Sequence, residues 1–484
     1  MSLSSALSIA QSALLATSRQ TSVVTRNVAD ANNPDYSRRI ALVTSTTPGA
    51  RSVDIQRATN DLLFRQNLGA LSTYAGQSAL YSGMDQLDVS VNGVDNASSP
   101  STAIGNLQQA LQLYATSPSN QNLGSSVIDA AKQVVRSLND GSKAIQDFRT
   151  QTDGQIDTAV KDLNSLLNQF QDANTAVMSG TRSGTDVSDA LDQRDALLKK
   201  IANYIPVSTF TRGDNDMVIT TGDGTTLFET IPRTVSFAPS SGYAAGAPGN
   251  TVYIDNVPVS AGTGGNTTAS GTIAGLRQLR DGVASTMQSQ LDETARGLIT
   301  AFAETAPSMP NAAGLFTWSG APAVPAAGTL VNGLAGTIKV NAAMDPSAGG
   351  NPTLLRDGGA NGAAYVANTT GGASYSNLLV AYGDQLDKPM PFDPSAGISA
   401  TSSVSDYAAN SIGWLQGVRQ QASTAADAKE ALAQRSADAL SNATGVNVDQ
   451  EMSLMLDLEH TYQASARMMK TVDDMMTALF SAVG

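Results

Sequence analysis

The chain has 484 residues, a net charge of -13, no cysteine and one histidine. That length exceeds what one hydrophobic core supports, so several compact units are expected, and the acidic balance argues against nucleic acid as a partner. Without cysteine there can be no disulfide, thiolate metal site or cysteine nucleophile, and the lone His460 excludes any multi-histidine centre.

From the start of the chain, Leu3, Leu7, Ala10, Leu14, Thr17, Thr21, Val24 and Val28 alternate steps of three and four, which predicts a helix with a coiled-coil-like stripe. The stretch ANNPDYSRR, Ala31 to Arg39, stops it. Pro34 lacks an N–H and biases Asn33 away from helical angles, so the segment reads as a corner with Tyr36, Arg38 and Arg39 at its exit, in reach of neighbouring subunits. The first basic residue is Arg19, so the charged start of a secretory signal is missing and export by another route is expected. No run of eighteen apolar residues occurs, so no membrane-spanning helix is expected.

Helical spacing continues in Asn60 to Leu87, Ala103 to Ala115, Ser125 to Val177 and Ser188 to Tyr204, the last closed by Pro206. Within the third, Val127, Ala131, Val134, Leu138, Ile145, Ile156, Leu163, Leu166, Phe170 and Val177 keep the rhythm. Val207 to Phe210, Asp216 to Thr221 and Thr226 to Thr230 read as strands joined by turns at Arg212 to Asn215 and Gly222 to Gly224. Ile273 to Glu304 and Val404 to Leu440 are helical again. Between them lies a Gly-, Ala- and Pro-rich stretch with short strand candidates such as Thr337 to Val340.

After Gly445 a helix is expected from Val446 to about Val483, with two apolar seams. One holds Leu454, Leu458, Met468, Val472, Met475 and Leu479; the other holds Met452, Met455, Tyr462, Ala466, Met469, Met476 and Val483. A helix with two seams cannot satisfy both against one partner, so neighbours from other subunits are expected, and methionine adapts to imperfectly matched surfaces. Residues 1–65 carry seven arginines against four aspartates, whereas the tail from Asp427 carries four basic against nine acidic residues, so the two ends should attract.

Nothing in the chain marks a reaction centre. His460 beside Glu459 has no second histidine on its helix; Asp214 and Asp216 lack the remaining ligands of a calcium loop; Gly262 to Gly265 lacks the Lys-Ser/Thr of a phosphate loop. Arg212-Gly213-Asp214 spells an adhesive tripeptide and equally suits a turn.

Several segments resemble one family. Asn32 to Arg38, NNPDYSR, is similar to the Asn-Thr-Pro-Gly-Tyr-Ser-Arg segment that follows the first helix of flagellar rod, hook and hook-associated proteins, with Asn33 and Asp35 as departures. Leu191 to Leu198, LDQRDALL, resembles a helix of the hook-associated proteins of the FlgK type, which join hook to filament. YATSPSN from Tyr114, Gln290-Leu291-Asp292, Gly445 to Met452 and Tyr462 to Arg467 are also similar to that family. Glu304 to Pro307 departs from its pattern.

The resemblance implies a multidomain α+β structural protein of the flagellum, exported through the flagellar type III apparatus with a chaperone. It would assemble as a ring of copies of itself, between hook protein and a second hook-associated (junction) protein, outside the cell. No enzyme activity, cofactor, metal, nucleic acid or membrane partner is implied. The expected organisation is discontinuous: paired coiled-coil-like terminal helices (1–60 and 441–484), a helical rod (61–205, 271–305 and 396–440), a β-rich insert (206–270) and a second, Gly/Ala/Pro-rich β insert (306–395). The expected subunit-interface residues are Leu3, Leu7, Leu14, Val24, Pro34, Tyr36, Arg38, Met452, Met455, Leu458, Tyr462, Met468, Met469, Val472, Met476 and Leu479. The alternatives are another axial flagellar protein, or a secreted adhesin or glycan-active protein acting through the inserts.

Overall fold

Helix α1 spans Leu3–Ala29 and ends where Asn33-Pro34-Asp35 turns the chain, with the Asn33 side chain accepting the Asp35 N–H at 3.1 Å. In the computed structural model, which describes residues 3–46, 50–260 and 269–483, the chain then forms an antiparallel hairpin of β1 (Arg39–Thr46) and β2 (Ala50–Arg57). Sequence reading expects no strand here, and these residues fall within the segment expected to hold the paired terminal helices. A lone two-stranded hairpin is marginal in water; this one stands because it packs on α1, a contact that its own pattern does not announce.

Helix α2 (Asp61–Asn92) starts at Asn60, whose side chain accepts the Leu63 N–H at 3.1 Å. Helix α3 (Pro100–Thr116) has Ser99 as its cap and Pro100 in its first turn. The 63-residue α4 (Gln121–Ser183) and α5 (Ser188–Tyr204) follow. A four-stranded antiparallel meander comes next: β3 (Val207–Thr211), β4 (Met217–Thr221), β5 (Thr226–Glu229) and β6 (Ile231–Pro232). Its first turn places Asp214 and Asn215 at φ of 59°, a conformation that these two residue types tolerate.

The expected helix from Ile273 is interrupted: α6 (Thr272–Gln278) and α7 (Ala284–Ala301) are joined by a π-helical segment, Leu279–Val283. The expected second β insert is not built of strands. It holds helices α8 (Leu334–Thr337), α9 (Leu354–Asp357) and α10 (Asn377–Asp387) among turns, and its strands are two-residue pairs such as Phe316–Thr317 with Lys339–Val340. Thr337 therefore closes a helix and does not open a strand. In α10, Leu379, Tyr382 and Leu386 have helical spacing and are buried; Gly383 obscures it in the sequence. Long helices α11 (Val404–Thr444) and α12 (Val448–Val483) end the chain. Among the described residues, no helix is long and apolar enough to cross a membrane.

Two compact units result, one of residues 1–74, 162–235 and 428–484, the other of residues 75–161 and 236–427. The strands of 206–235 thus group with the terminal helices, and the Gly-rich remainder of the expected first insert does not. In the first unit, Leu163, Leu167, Phe170 and Val177 of α4 are buried, and Phe170 meets Phe228 of β5 edge-on at 4.9 Å. In the second, α7 is buried on nearly every face. Phe302 just beyond it contacts Phe316 at 5.2 Å and Tyr382 at 5.1 Å, while Phe392 stacks on Tyr407 at 3.9 Å.

Phe302 is fully buried between two aromatic partners, so Phe302→Ala should cost about 3–5 kcal/mol. Thermal unfolding followed by hydrogen exchange should place that loss in the second unit and leave α1 and α12 protection unchanged.

Candidate assembly interface

The corner after α1 is a polar junction among α1, the hairpin, α5 and α12, all within the first unit. Asn27, in the last turn of α1, is fully buried and uses every side-chain hydrogen-bonding group it has. Its amide donates to the Arg39 carbonyl at 2.8 Å and to Glu451 Oε2 at 3.0 Å, and its oxygen accepts the Tyr36 hydroxyl at 2.8 Å and the Arg39 N–H at 2.9 Å. Four bonds to a buried amide remove the desolvation cost that an unpaired one would carry.

Arg38 and Arg39 are consecutive as the chain enters β1, and their side chains go to different partners. Arg38 reaches Glu451 Oε1 at 2.6 Å, while its N–H donates to the Thr444 carbonyl at 2.8 Å, so one residue holds both α12 and the end of α11. Arg39 meets Asp192 Oδ2 at 2.5 Å and Asp189 Oδ1 at 3.1 Å on α5, donates to the Ser37 carbonyl, and lies 4.6 Å from the Tyr36 ring centroid. Arg57, directly across the hairpin from Arg39, contacts Asp192 Oδ1 at 2.7 Å and pairs with Asp195. Arg26 of α1 reaches Asp189 at 2.5 Å, and Lys199 reaches Asp35 at 2.9 Å.

Three aspartates at steps of three on α5 therefore meet three arginines of the N-terminal arm. Arg194, which the LDQRD segment places between them, points elsewhere: it donates to Asn174 at 3.0 Å and to the Asn215 carbonyl at 2.6 Å, anchoring the β3–β4 turn. Burial pushes its pKa down. Burial also opposes charge on Arg57, but Asp195 and Asp192 outweigh it and hold that pKa above the ordinary arginine value. For Asp189 burial pushes upward, and hydrogen bonds from Arg26 and Arg39 more than reverse it, leaving the carboxyl below the usual carboxylate range. Burial raises the Tyr36 phenol to about 12.

The terminal helices pair. Because Asn27 at the end of α1 bonds Glu451 at the start of α12 while the two helices pack together, they run antiparallel. Helix α12 begins behind Asn447, whose side chain accepts the Gln450 N–H at 3.1 Å, and a Cβ on Gly445 would lie 2.5 Å from the Ser441 carbonyl oxygen, so the α11–α12 turn has no room for a side chain there.

The buried line of α12 corresponds to neither expected seam. It takes Leu458 and Val472 from one and the half-buried Met455, Met469 and Met476 from the other, together with Glu451 and Ser465. A pattern of apolar residues could not include Glu451, which is buried because Asn27 and Arg38 satisfy its charge. On α1, Val24 is buried with Ala10 and Thr17, and Leu7 and Leu14 are half-buried; the Leu3 and Val483 side chains and Gly262 to Gly265 fall outside the described parts.

Of the residues expected at a subunit surface, Tyr36 is buried inside its own chain and Arg38 is half-buried on Glu451, so the corner's side chains serve the chain's own packing; Pro34 is exposed. Met452, Tyr462, Met468 and Leu479 are exposed, joined by Leu454, Leu456, Met475 and Phe480. Sequence reading missed Asn27, Arg57, Glu451 and the role of Asp189, Asp192 and Asp195. The regular spacing of three aspartates, set against an arginine-rich arm, is a signal that could have found the α5 partners; nothing local marks Asn27 or Glu451.

Among the described residues, none of the groups weighed from sequence is joined by the partners that a reaction centre would need. His460 is exposed on α12, and no group of acidic residues and histidine suited to a metal occurs among the described residues. In the Arg-Gly-Asp turn, Arg212 is bound to Asp216 at 2.6 Å and Glu229 at 2.8 Å, and Asp214 to Arg182 at 2.8 Å, so both charges of the tripeptide are engaged within the chain.

Comparison with known proteins gives this architecture its class. Residues 84–307 match the helical domain of the flagellar hook-associated protein FlgK, and residues 439–481, covering the end of α11 and α12, match the C-terminal region of the flagellar basal body rod proteins FlgE, FlgF and FlgG. Flagellar hook-associated protein 1 of Bacillus subtilis is 22% identical over 523 aligned positions that cover 99% of this chain and 98% of the relative. The proteins of the same description from Salmonella typhimurium and Salmonella typhi are each 23% identical over 49% of this chain and 45% of their own length. The flagellar hook junction protein FlgK of Burkholderia pseudomallei aligns with 53% of this chain and 47% of its own at a TM-score of 0.43 and 18% identity, too slight a likeness to bear on the argument. The terminal helix pair and the rod-protein match define an axial protein of the flagellum. Within that class, the chain is similar along nearly its whole length to a flagellar hook-associated protein, and its residues 84–307 match the FlgK helical domain.

Asp192→Asn removes the charge shared by buried Arg39 and Arg57 and should cost about 3–5 kcal/mol. Urea unfolding should show the loss, with hydrogen exchange accelerating first in the β1–β2 hairpin. Because the folded Tyr36 pKa lies above that of an unfolded tyrosine, its contribution is full below about pH 10 and is lost as pH rises through about 12. A pH series of unfolding curves should therefore fall less steeply over that window for Tyr36→Phe than for the natural chain.

Proposed function

We propose that this chain is a structural component of the bacterial flagellum that assembles as a ring joining hook to filament. The carrying observation is the apolar surface that the α1–α12 pair leaves uncovered: Met468 is 59% exposed, Leu479 55% and Phe480 68%, with Met452, Leu456 and Met475 also outward on the same helix. Exposed apolar side chains in this number along one helix point to an interaction site, and methionine suits a surface that must fit neighbours that differ from one another. The similarity to hook-associated and rod proteins supports an axial flagellar role. The finer assignments are ours: hook protein on one side, a second hook-associated protein on the other, further copies of this chain around the ring, and an export chaperone covering the ridge beforehand. On this reading the protein works outside the cell, reached by flagellar export, and it performs no catalysis.

The interface expected from sequence is narrowed here to its exposed members. Leu458 and Val472 face α1 within the chain, so their replacement would disturb folding and assembly together. Met468→Asp with Met475→Asp, two exposed side chains one heptad apart and off the buried line, alters the outward surface alone. Surface changes of this sort usually stay within about 0.5 kcal/mol. The double variant should melt as the natural protein does yet fail to restore filaments in cells lacking the natural copy. Normal filaments with the variant in place would refute the assignment.

A further inference from the structure

The α1–α12 pair has a register problem. On α1 the buried positions Ala10, Thr17 and Val24 recur every seven residues, and on α12 so do Leu458, Ser465 and Val472. Small residues face an adaptable methionine-rich helix, so sliding one helix past the other by seven residues presents the same kinds of surface again. Such a slip keeps every face where it was and displaces the outward ridge by about 10 Å along the axis. Apolar packing along the seam discriminates weakly between these registers.

The polar contacts at one end do discriminate. Glu451 has 0% side-chain exposure, and its carboxylate is bound by Asn27 at 3.0 Å and Arg38 at 2.6 Å. A seven-residue slip in one direction would bring Leu458 to Asn27, leaving a buried amide against an apolar side chain and Glu451 without either partner. In the other direction α12 would start beyond the reach of Asn27. We infer that Asn27, Arg38 and Glu451 are positioning residues that fix the register of the terminal helix pair, in the way a single buried polar residue fixes alignment in a coiled coil. Their purpose is to place the outward ridge of α12 at one height, and the register claim stands whether or not that ridge meets a ring of copies.

The chain has no cysteine, so paired cysteine substitutions report register directly in the full-length protein. Counting antiparallel from Asn27 and Glu451 puts Ala10 opposite the turn that holds Met469. In the otherwise natural chain, Ala10→Cys with Met469→Cys should form a disulfide on mild oxidation. Ala10→Cys combined with Tyr462→Cys or with Met476→Cys, one heptad away in either direction, should not. Introducing Asn27→Leu and Glu451→Leu should shift the cross-link so that at least one heptad-displaced pair now forms. Persistence of the Ala10 and Met469 pair alone would overturn the inference, because packing would then set the register unaided. Loss of cross-linking in all three pairs would also overturn it, because the cluster would then be holding the helices together and not choosing between alignments.

Discussion

The joining of the two chain ends in the first unit depends on the buried carboxylate of Glu451 finding its partners Asn27 and Arg38 at the other end of the chain. A charge removed from water without compensation is among the costliest features a fold can contain. Here Asn27 and Arg38 supply the compensation, and Asn27 is in turn held by Tyr36 and by both backbone groups of Arg39. The start of α12 is thus stable in its buried position only when the end of α1 and the corner are formed. Sequence separation of 424 residues between Asn27 and Glu451 makes this a closure of the whole chain.

The same economy of residues explains the Arg38-Arg39 pair. One arginine satisfies α12 and the next satisfies α5, so a two-residue element joins three helices through the hairpin entry. Salt bridges on an exposed surface contribute little, but Arg39 and Asp192 are nearly removed from solvent and share geometry with Arg57, which raises the penalty for losing any one member. The second unit uses a related device: Arg280 is fully buried on Asp153 at 2.5 Å, and Arg296 on Glu293 at 2.8 Å, each also donating to a main-chain carbonyl. Polar links inside each unit fix irregular segments that have too few apolar residues to hold themselves.

Against this rigid polar base, α12 is permissive. Its contact with α1 uses small residues, half-buried methionines and only a few fully buried side chains, and much of its apolar surface stays outward. A protein that must pack against neighbours of more than one kind gains from such a helix, provided that something else sets its position. The charged groups of the corner bind one another, and the Arg-Gly-Asp turn is closed by its own ion pairs.

Helical periodicity made most of the long helices legible, α5 to the residue, because one buried face per helix imposes a spacing of three and four whatever the partner is. The strands β3 to β5 were legible because alternation and turn residues are local properties too. Composition alone removed thiol and multi-histidine chemistry, the missing Lys-Ser/Thr at Gly262 to Gly265 removed a phosphate loop, and short motifs pointed to the family. What sequence could not determine was every feature set by a distant partner. The β1–β2 hairpin depends on α1, the π-helical interruption lies in a helix whose periodicity looks continuous, and α10 is hidden by Gly383 and a Gly-rich neighbourhood. The buried line of α12 includes a glutamate that pattern reading assigns to solvent. Local spacing fixes which elements form; which faces meet, and which charges can be buried, is decided only when residues hundreds of positions apart supply one another's hydrogen bonds.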